Sequence, residues 1–204
     1  MDHIERALSE IDAIRTQMAS STRFRGYAPE LLAGVAVVCL LVMGAQALWP
    51  QRLAGSDLRQ VLVWGAVLVM SQAVMTAEAV VRTRRVHGAL ANPMLLSALR
   101  SHLPFAAAAV ILTIGICRFA SGAVWLVPAI WLWLIALTAF ASHAFLPPRV
   151  RWAATWYALT GTGVLVLAGA ANGLSGWMVG LPLAIGHLLM AWALHDSAEA
   201  RHDA

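Results

Sequence analysis

The sequence predicts an all-α, polytopic membrane fold of six transmembrane helices in serial hairpins, and three observations carry that prediction. Apolar residues make up 60% of the 204 and charged residues only 12%, with a mean hydropathy of +0.73, so too little polar side chain exists to coat a water-soluble globule. The apolar residues collect into six runs, each near the ~20 residues that cross a ~30 Å hydrocarbon core at a rise of ~1.5 Å. Arginines punctuate these runs and largely stay out of them.

Residues 1–28 precede the first run. Ile4, Leu8, Ile11 and Met18 fall on one helical stripe, with Ile14 beside it and Asp2, Glu5, Glu10 and Asp12 among the polar positions, which predicts an amphipathic cytosolic helix. Four acids against Arg6 and Arg15 leave residues 2–18 with a net charge of −2. Helices that adsorb to anionic lipid are basic, so this one suits a protein partner, or packs as a solvated extension on the protein's own loops. Arg23 and Arg25 then bring positive charge to the membrane edge. Acidic residues ahead of the first apolar run, and no small-residue cleavage site after it, argue against a signal peptide.

The transmembrane domain is expected over 29–195, with spans at 31–49, 61–81, 103–120, 123–145, 152–171 and 177–194, and a cytosolic tail at 196–204. Pro50 closes the first span, within which Gln46 is the one strongly polar residue and is expected to reach interfacial water. The second span carries Ser71, Gln72, Thr76 and Glu78 and ends in Arg82, Arg84 and Arg85. In the connector that follows, Asn92-Pro93 is expected to start a short interfacial helix. The third span is short unless Arg118 snorkels. Pro147 and Pro148 end the fourth.

Arginine placement sets the orientation. With the N-terminus inside, 11 arginines are cytoplasmic and Arg52, Arg59 and Arg118 lie outside, a bias that puts both termini in the cytoplasm and the chain in a bacterial inner membrane. The same distribution argues against nucleic acid as a partner, because the charge forms no patch of its own. Trp49, Trp64, Trp125 and Trp177 are expected at the outer interface and Trp152, Trp156 and Trp192 at the inner one. Cys39 lies mid-span and Cys117 at a span's end, about 15 Å apart in depth at helical rise, so no disulfide is expected.

The opening pattern IxxIRxQMAxxTxFRGY, residues 11–27, followed by six apolar runs, resembles a group of uncharacterised bacterial six-helix inner-membrane proteins. The resemblance implies that fold and compartment; it brings no activity and no site residues.

Several groups are candidates for chemistry. Glu78 and Arg82 are i,i+4 neighbours whose simple reading is an intrahelical ion pair. His102, His143 and His187 lie at depths similar to Glu78 on three other helices. If the four converge, they suit proton transfer, haem iron or another metal; if each faces a neighbour's carbonyl or hydroxyl, they are structural. Gln72 and Thr76 share a face that holds helices together or lines a path, and Thr160 and Thr162, beside Gly161 and Gly163, read as close packing. Arg23, Arg25, Arg82, Arg84, Arg85 and Arg100 fit anionic lipid headgroups or an acidic partner.

Three functions follow. The first is a non-enzymatic regulatory, sensor or partner-docking subunit. The second is a small homo-oligomeric transporter or channel with Glu78 titrating. The third is a haem- or metal-binding redox subunit using the membrane histidines. Hydrolysis is disfavoured: the chain has no GxSxG, no HExxH and no paired-carboxylate motif.

Overall fold

The structure is a computed structural model that describes residues 28–87, 91–142 and 146–199. Among them every element is helical, and six helices are long and apolar enough to cross a membrane. The chain is a multi-pass membrane protein. The amphipathic stripe of Ile4, Leu8, Ile11 and Met18, together with Arg23, Arg25 and His143, lies outside the described residues.

Helix α1, Pro29–Leu48, starts on a proline whose fixed φ suits a first turn and has Glu30 there to complement the helix dipole. It breaks at Trp49, and the single turn α2, Pro50–Leu53, folds back across its end. Helix α3, Asp57–His87, follows, with the Arg59 N–H donating to Ser56 Oγ at 3.3 Å as a cap. Helix α4 covers Ala91–Phe119, and after it Ser121–Leu126 forms a 3-10 turn. Helix α5, Val127–Ala141, has Pro128 in its first turn. Helix α6, Val150–Ala171, stops where Asn172 adopts a left-handed φ of 49°, and helix α7, Gly176–Glu199, completes the bundle.

Two element boundaries differ from the sequence expectation. The connector helix and the third span are one continuous helix, α4, because Pro104 sits inside it without ending it. A proline costs the i−4 carbonyl its bond, and here that carbonyl belongs to Arg100, an exposed residue in the first third of the helix. The fourth span divides into the 3-10 turn and α5 at Pro128, a residue that suits a helix start.

Connectors such as 54–56 and 172–175 are too short to recross a ~30 Å core at ~3.5 Å per residue, so successive spans alternate in direction and α3 runs parallel to α7. Sequential neighbours pack from α4 through α7, as hairpins require, but the most extensive junction joins the first span to the last, α1 to α7, followed by α5 with α6. The core gathers Ala36 and Cys39 of α1, Trp64 of α3, Leu132 and Ala136 of α5, Tyr157 of α6 and Leu183 of α7. None of the 18 residues of the α4 span, His102–Phe119, is buried, and α3 is the next least covered. The bundle therefore has a packed wall, α1, α5, α6 and α7, and an open flank, α3 with α4.

Two residues expected at the interface are inside. Trp64 is fully buried because Gly180 of α7 leaves room for its ring: a Cβ there would lie 2.7 Å from Trp64 Cη2. Gln46 is 3% exposed, since α2 folds over it and its Nε2 donates to the Leu53 carbonyl at 3.2 Å. Trp49, Trp152, Trp177 and Trp192 are each about half exposed, as interfacial anchors are. Cys39 and Cys117 are both unbridged.

Candidate functional site

The α3 stretch around Glu78 is built as one helix face after another. Glu78 Oε1 lies 3.7 Å from Arg82 Nε, with both side chains about 40% exposed, so the carboxylate is held by its own helix. The i+4 spacing places them one above the other, and the pair lets both charges sit near the interface as a neutral unit. Arg84, Arg85 and Arg100 are exposed at the same end of the bundle.

Gln72 and Thr76 point outward. Both are exposed, and Gln72 Nε2 donates to Thr76 Oγ1 at 3.5 Å, a long bond within one helix. By spacing Gln72 continues the inward row of Val61, Trp64, Leu68, Met75 and Ala79, which are buried or half-buried. It is nevertheless exposed, beside a span of α4 that holds no buried residue. Gln72 stands fifteen residues from each end of α3, about 22 Å in each direction at helical rise, so this exposed amide lies at mid-helix and mid-membrane.

His187 occupies the other side of the bundle. Its Nδ1 lies 2.7 Å from the Leu183 carbonyl and 3.0 Å from the Tyr157 hydroxyl. A carbonyl only accepts, so Nδ1 carries a proton and donates to Leu183, with the tyrosine oxygen as a second partner. Tyr157 is 1% exposed and lies against Gly186, where a Cβ would overlap its ring and hydroxyl. This is the arrangement of a structural histidine, tying α6 to α7. His102 is half-buried at the start of the α4 span.

His143 lies outside the described residues, so the four groups are placed only in part. Among the described residues, no three of histidine, cysteine, aspartate and glutamate gather closely enough to hold a metal ion. Glu78 is engaged by Arg82 and His187 by Leu183 and Tyr157. The threonines read as close packing bond within their own helix: Thr160 Oγ1 donates to the Trp156 carbonyl at 2.7 Å and Thr162 Oγ1 to that of Ala158 at 3.0 Å. Of the two glycines beside them, Gly161 packs against Trp133 and Leu132, whereas nothing lies within 4 Å of a Cβ at Gly163.

The sequence reading did not single out the knot at the far end of the bundle. Asp57 Oδ1 accepts the Leu174 N–H at 2.8 Å, clamping the α6–α7 turn onto the start of α3. Arg59 Nη1 donates to the carbonyls of Gln51 and Arg52. Gln60, one turn before Trp64, is buried with its Oε1 unpartnered, as are Gln46 Oε1 and Trp64 Nε1. Gln46 meets Gly176 and Trp64 meets Gly180, so α1, α3 and α7 touch here through glutamines and tryptophan on bare glycine backbone. The available signal was the Gly176/Gly180 spacing of four, which marks a close approach of helices.

Comparison of the chain with family models, curated proteins and solved structures finds no match. Residues 11–27, which hold most of the specific residues of the resemblance, lie outside the described structure.

Proposed function

We propose that this chain is a non-enzymatic subunit of the bacterial inner membrane, both termini cytoplasmic, whose work is to dock a protein partner within the bilayer in a regulatory or sensory assembly. The observation that carries the reading is the open flank. A six-helix bundle that packs four helices well and leaves a whole span without one buried residue has a surface to be completed by protein. Lipid tails solvate apolar side chains, but they offer nothing to the amide and hydroxyl that α3 exposes at mid-membrane. The exposed Arg84, Arg85 and Arg100 at the end of the same flank add a place for anionic headgroups, or for an acidic segment of the partner. Glu78 and His187 are each held by neighbours, which favours docking over transport or redox chemistry as the reading.

The test is photo-cross-linking in native membranes with a diazirine side chain at Val110 or Ile114, both well exposed on α4, against Leu159 and Val166 on the packed wall. Docking predicts protein adducts from the α4 positions and lipid adducts from the α6 positions. Lipid adducts from both removes the proposal. Reporter fusions at the C-terminus test the orientation: an extracytoplasmic readout refutes it.

A further inference from the structure

We propose that α1, α3 and α7 enclose a bound water molecule at the end of the bundle that α2 covers, held by Gln46, Gln60 and Trp64. It donates to the two glutamine carbonyls and accepts from the indole N–H. The site does not depend on what covers the open flank.

Three helices step through this region in register. Met43 of α1, Trp64 of α3 and Gly180 of α7 meet in one layer: a Cβ at Gly180 would lie 2.7 Å from Trp64 Cη2, 2.9 Å from its Cζ2 and 3.0 Å from Met43 Cβ. Gln46 follows Met43 by three residues, while Gln60 precedes Trp64 and Gly176 precedes Gly180 by four, so each is the next residue along the same helix face. Helix α1 runs toward the α2 end, and α3 and α7 run away from it. The three steps therefore go the same way and make a second layer of Gln46, Gln60 and Gly176. Within that layer a Cβ at Gly176 would overlap Gln46 Oε1. Beyond it the enclosure is closed by Gln46 Nε2 on the Leu53 carbonyl of α2 and by Asp57 Oδ1 on the Leu174 N–H.

The polar atoms of the two layers form a complementary set. Gln46 Oε1, Gln60 Oε1 and Trp64 Nε1 are each buried without a hydrogen-bond partner among the described residues, and Gln46, the most accessible of the three residues, is only 3% exposed. An amide oxygen only accepts and an indole only donates. With a single N–H, a direct bond from the indole serves one oxygen and leaves the other. Water has two O–H donors and an acceptor, so one molecule serves all three groups. Side-chain direction brings them together: in a helix the Cα–Cβ bond tilts toward the N-terminus, so Trp64 leans toward Gln60, and Gln46, on an antiparallel helix, leans toward Trp64. The indole Nε1 lies on the same ring edge as Cζ2, the atom against Gly180, which sets the donor beside the glycine strip of α7. An enclosure with polar partners of this number holds water, whereas an apolar one stays dry, and ordering one water costs less than leaving three polar groups unpaired. The indole N–H would turn its positive end on a cation, and the two carbonyls would repel an anion.

The experiment is nuclear magnetic resonance on the full chain, with isotopically labelled tryptophan, in nanodiscs of deuterated lipid. Trp64→Phe identifies the Trp64 indole resonance by its loss. That indole proton is expected to show a cross-peak at the water frequency with opposite signs in the laboratory-frame and rotating-frame Overhauser spectra, the pattern of a long-lived bound water. Proton exchange alone gives the same sign in both. Gln46→Met and Gln60→Met each remove one acceptor at similar side-chain length and are expected to weaken the cross-peak, and the double variant to abolish it. Gly176→Ala, whose Cβ would displace Gln46 Oε1, is expected to weaken it too, while Gly163→Ala, with open space at its Cβ, leaves it unchanged. In the unaltered chain, no cross-peak, or one of the exchange sign only, overturns the proposal, and this spectrum decides even where a variant does not fold. A cross-peak that keeps full strength in the double glutamine variant also overturns it, because the water would then be held elsewhere.

Discussion

Replacing Gly186 with alanine tests the assignment of Tyr157 and His187 as a structural joint. In a helix interior the exchange ordinarily stabilises by about 1 kcal/mol, because alanine loses less backbone entropy. At Gly186 the added Cβ would overlap Cζ, Cε1 and the hydroxyl of Tyr157. That ring is 1% exposed and set among core residues, so it has nowhere to swing. Overpacking of this kind costs about 1–3 kcal/mol, and displacing the hydroxyl from His187 Nδ1 loses a bond of about 1 kcal/mol. The net expectation is a destabilisation of about 2 kcal/mol, or a thermal midpoint lowered by ~4–8 °C for a chain of this size. Gly163→Ala, with nothing within 4 Å of its Cβ, is the internal control and is expected to hold or raise the midpoint. The assay is thermal unfolding in nanodiscs, followed by tryptophan fluorescence. A Tyr157→Leu change in the Gly186→Ala background, which removes the overlapping ring atoms, is expected to recover part of the loss. Equal midpoints for Gly186→Ala and Gly163→Ala would falsify the seating of Tyr157 on α7.

Two further expectations concern other parts of the bundle. Asp57→Ala removes the acceptor for the Leu174 N–H; a charge-assisted bond of this type is worth about 1.5–3 kcal/mol, so amide exchange at Leu174 should speed by at least ten-fold, whereas Asp57→Asn should retain much of the protection, and an unchanged exchange rate would refute the clamp. Cys117 is partly exposed and Cys39 fully buried, neither in a disulfide, so a membrane-permeant maleimide should label the folded chain once, at Cys117, and twice after denaturation; labelling of Cys39 in the folded chain would contradict the packing of α1.

How much of this was legible in the sequence depends on the residue. Glu78 and Arg82 were readable as a pair, because an i,i+4 contact is set by one helix's geometry alone. The partner of His187 was not: Tyr157 is 30 residues away and is brought there by the packing of α6 on α7. Trp64 and Trp177 looked alike as span-edge tryptophans, yet one is fully buried and the other half exposed. The difference lies in Gly180, which makes space on α7 for the first ring, and nothing along α3 records that. Gln46 likewise looked free to reach water, until the turn at Pro50 closed over it.

The sequence by itself determined that the chain crosses a membrane, how many times, and about where each crossing lies. Lipid requires every backbone hydrogen bond to close within its own helix, so length and hydropathy decide those matters locally. Only the tertiary structure decided which face of each helix is inside, because in a bilayer both faces are apolar and periodicity carries little information about burial. It is the packing of α1 on α7 and of α5 on α6 that turns Trp64, Tyr157 and His187 inward. The same packing leaves α3 and α4 to present Gln72 at mid-membrane.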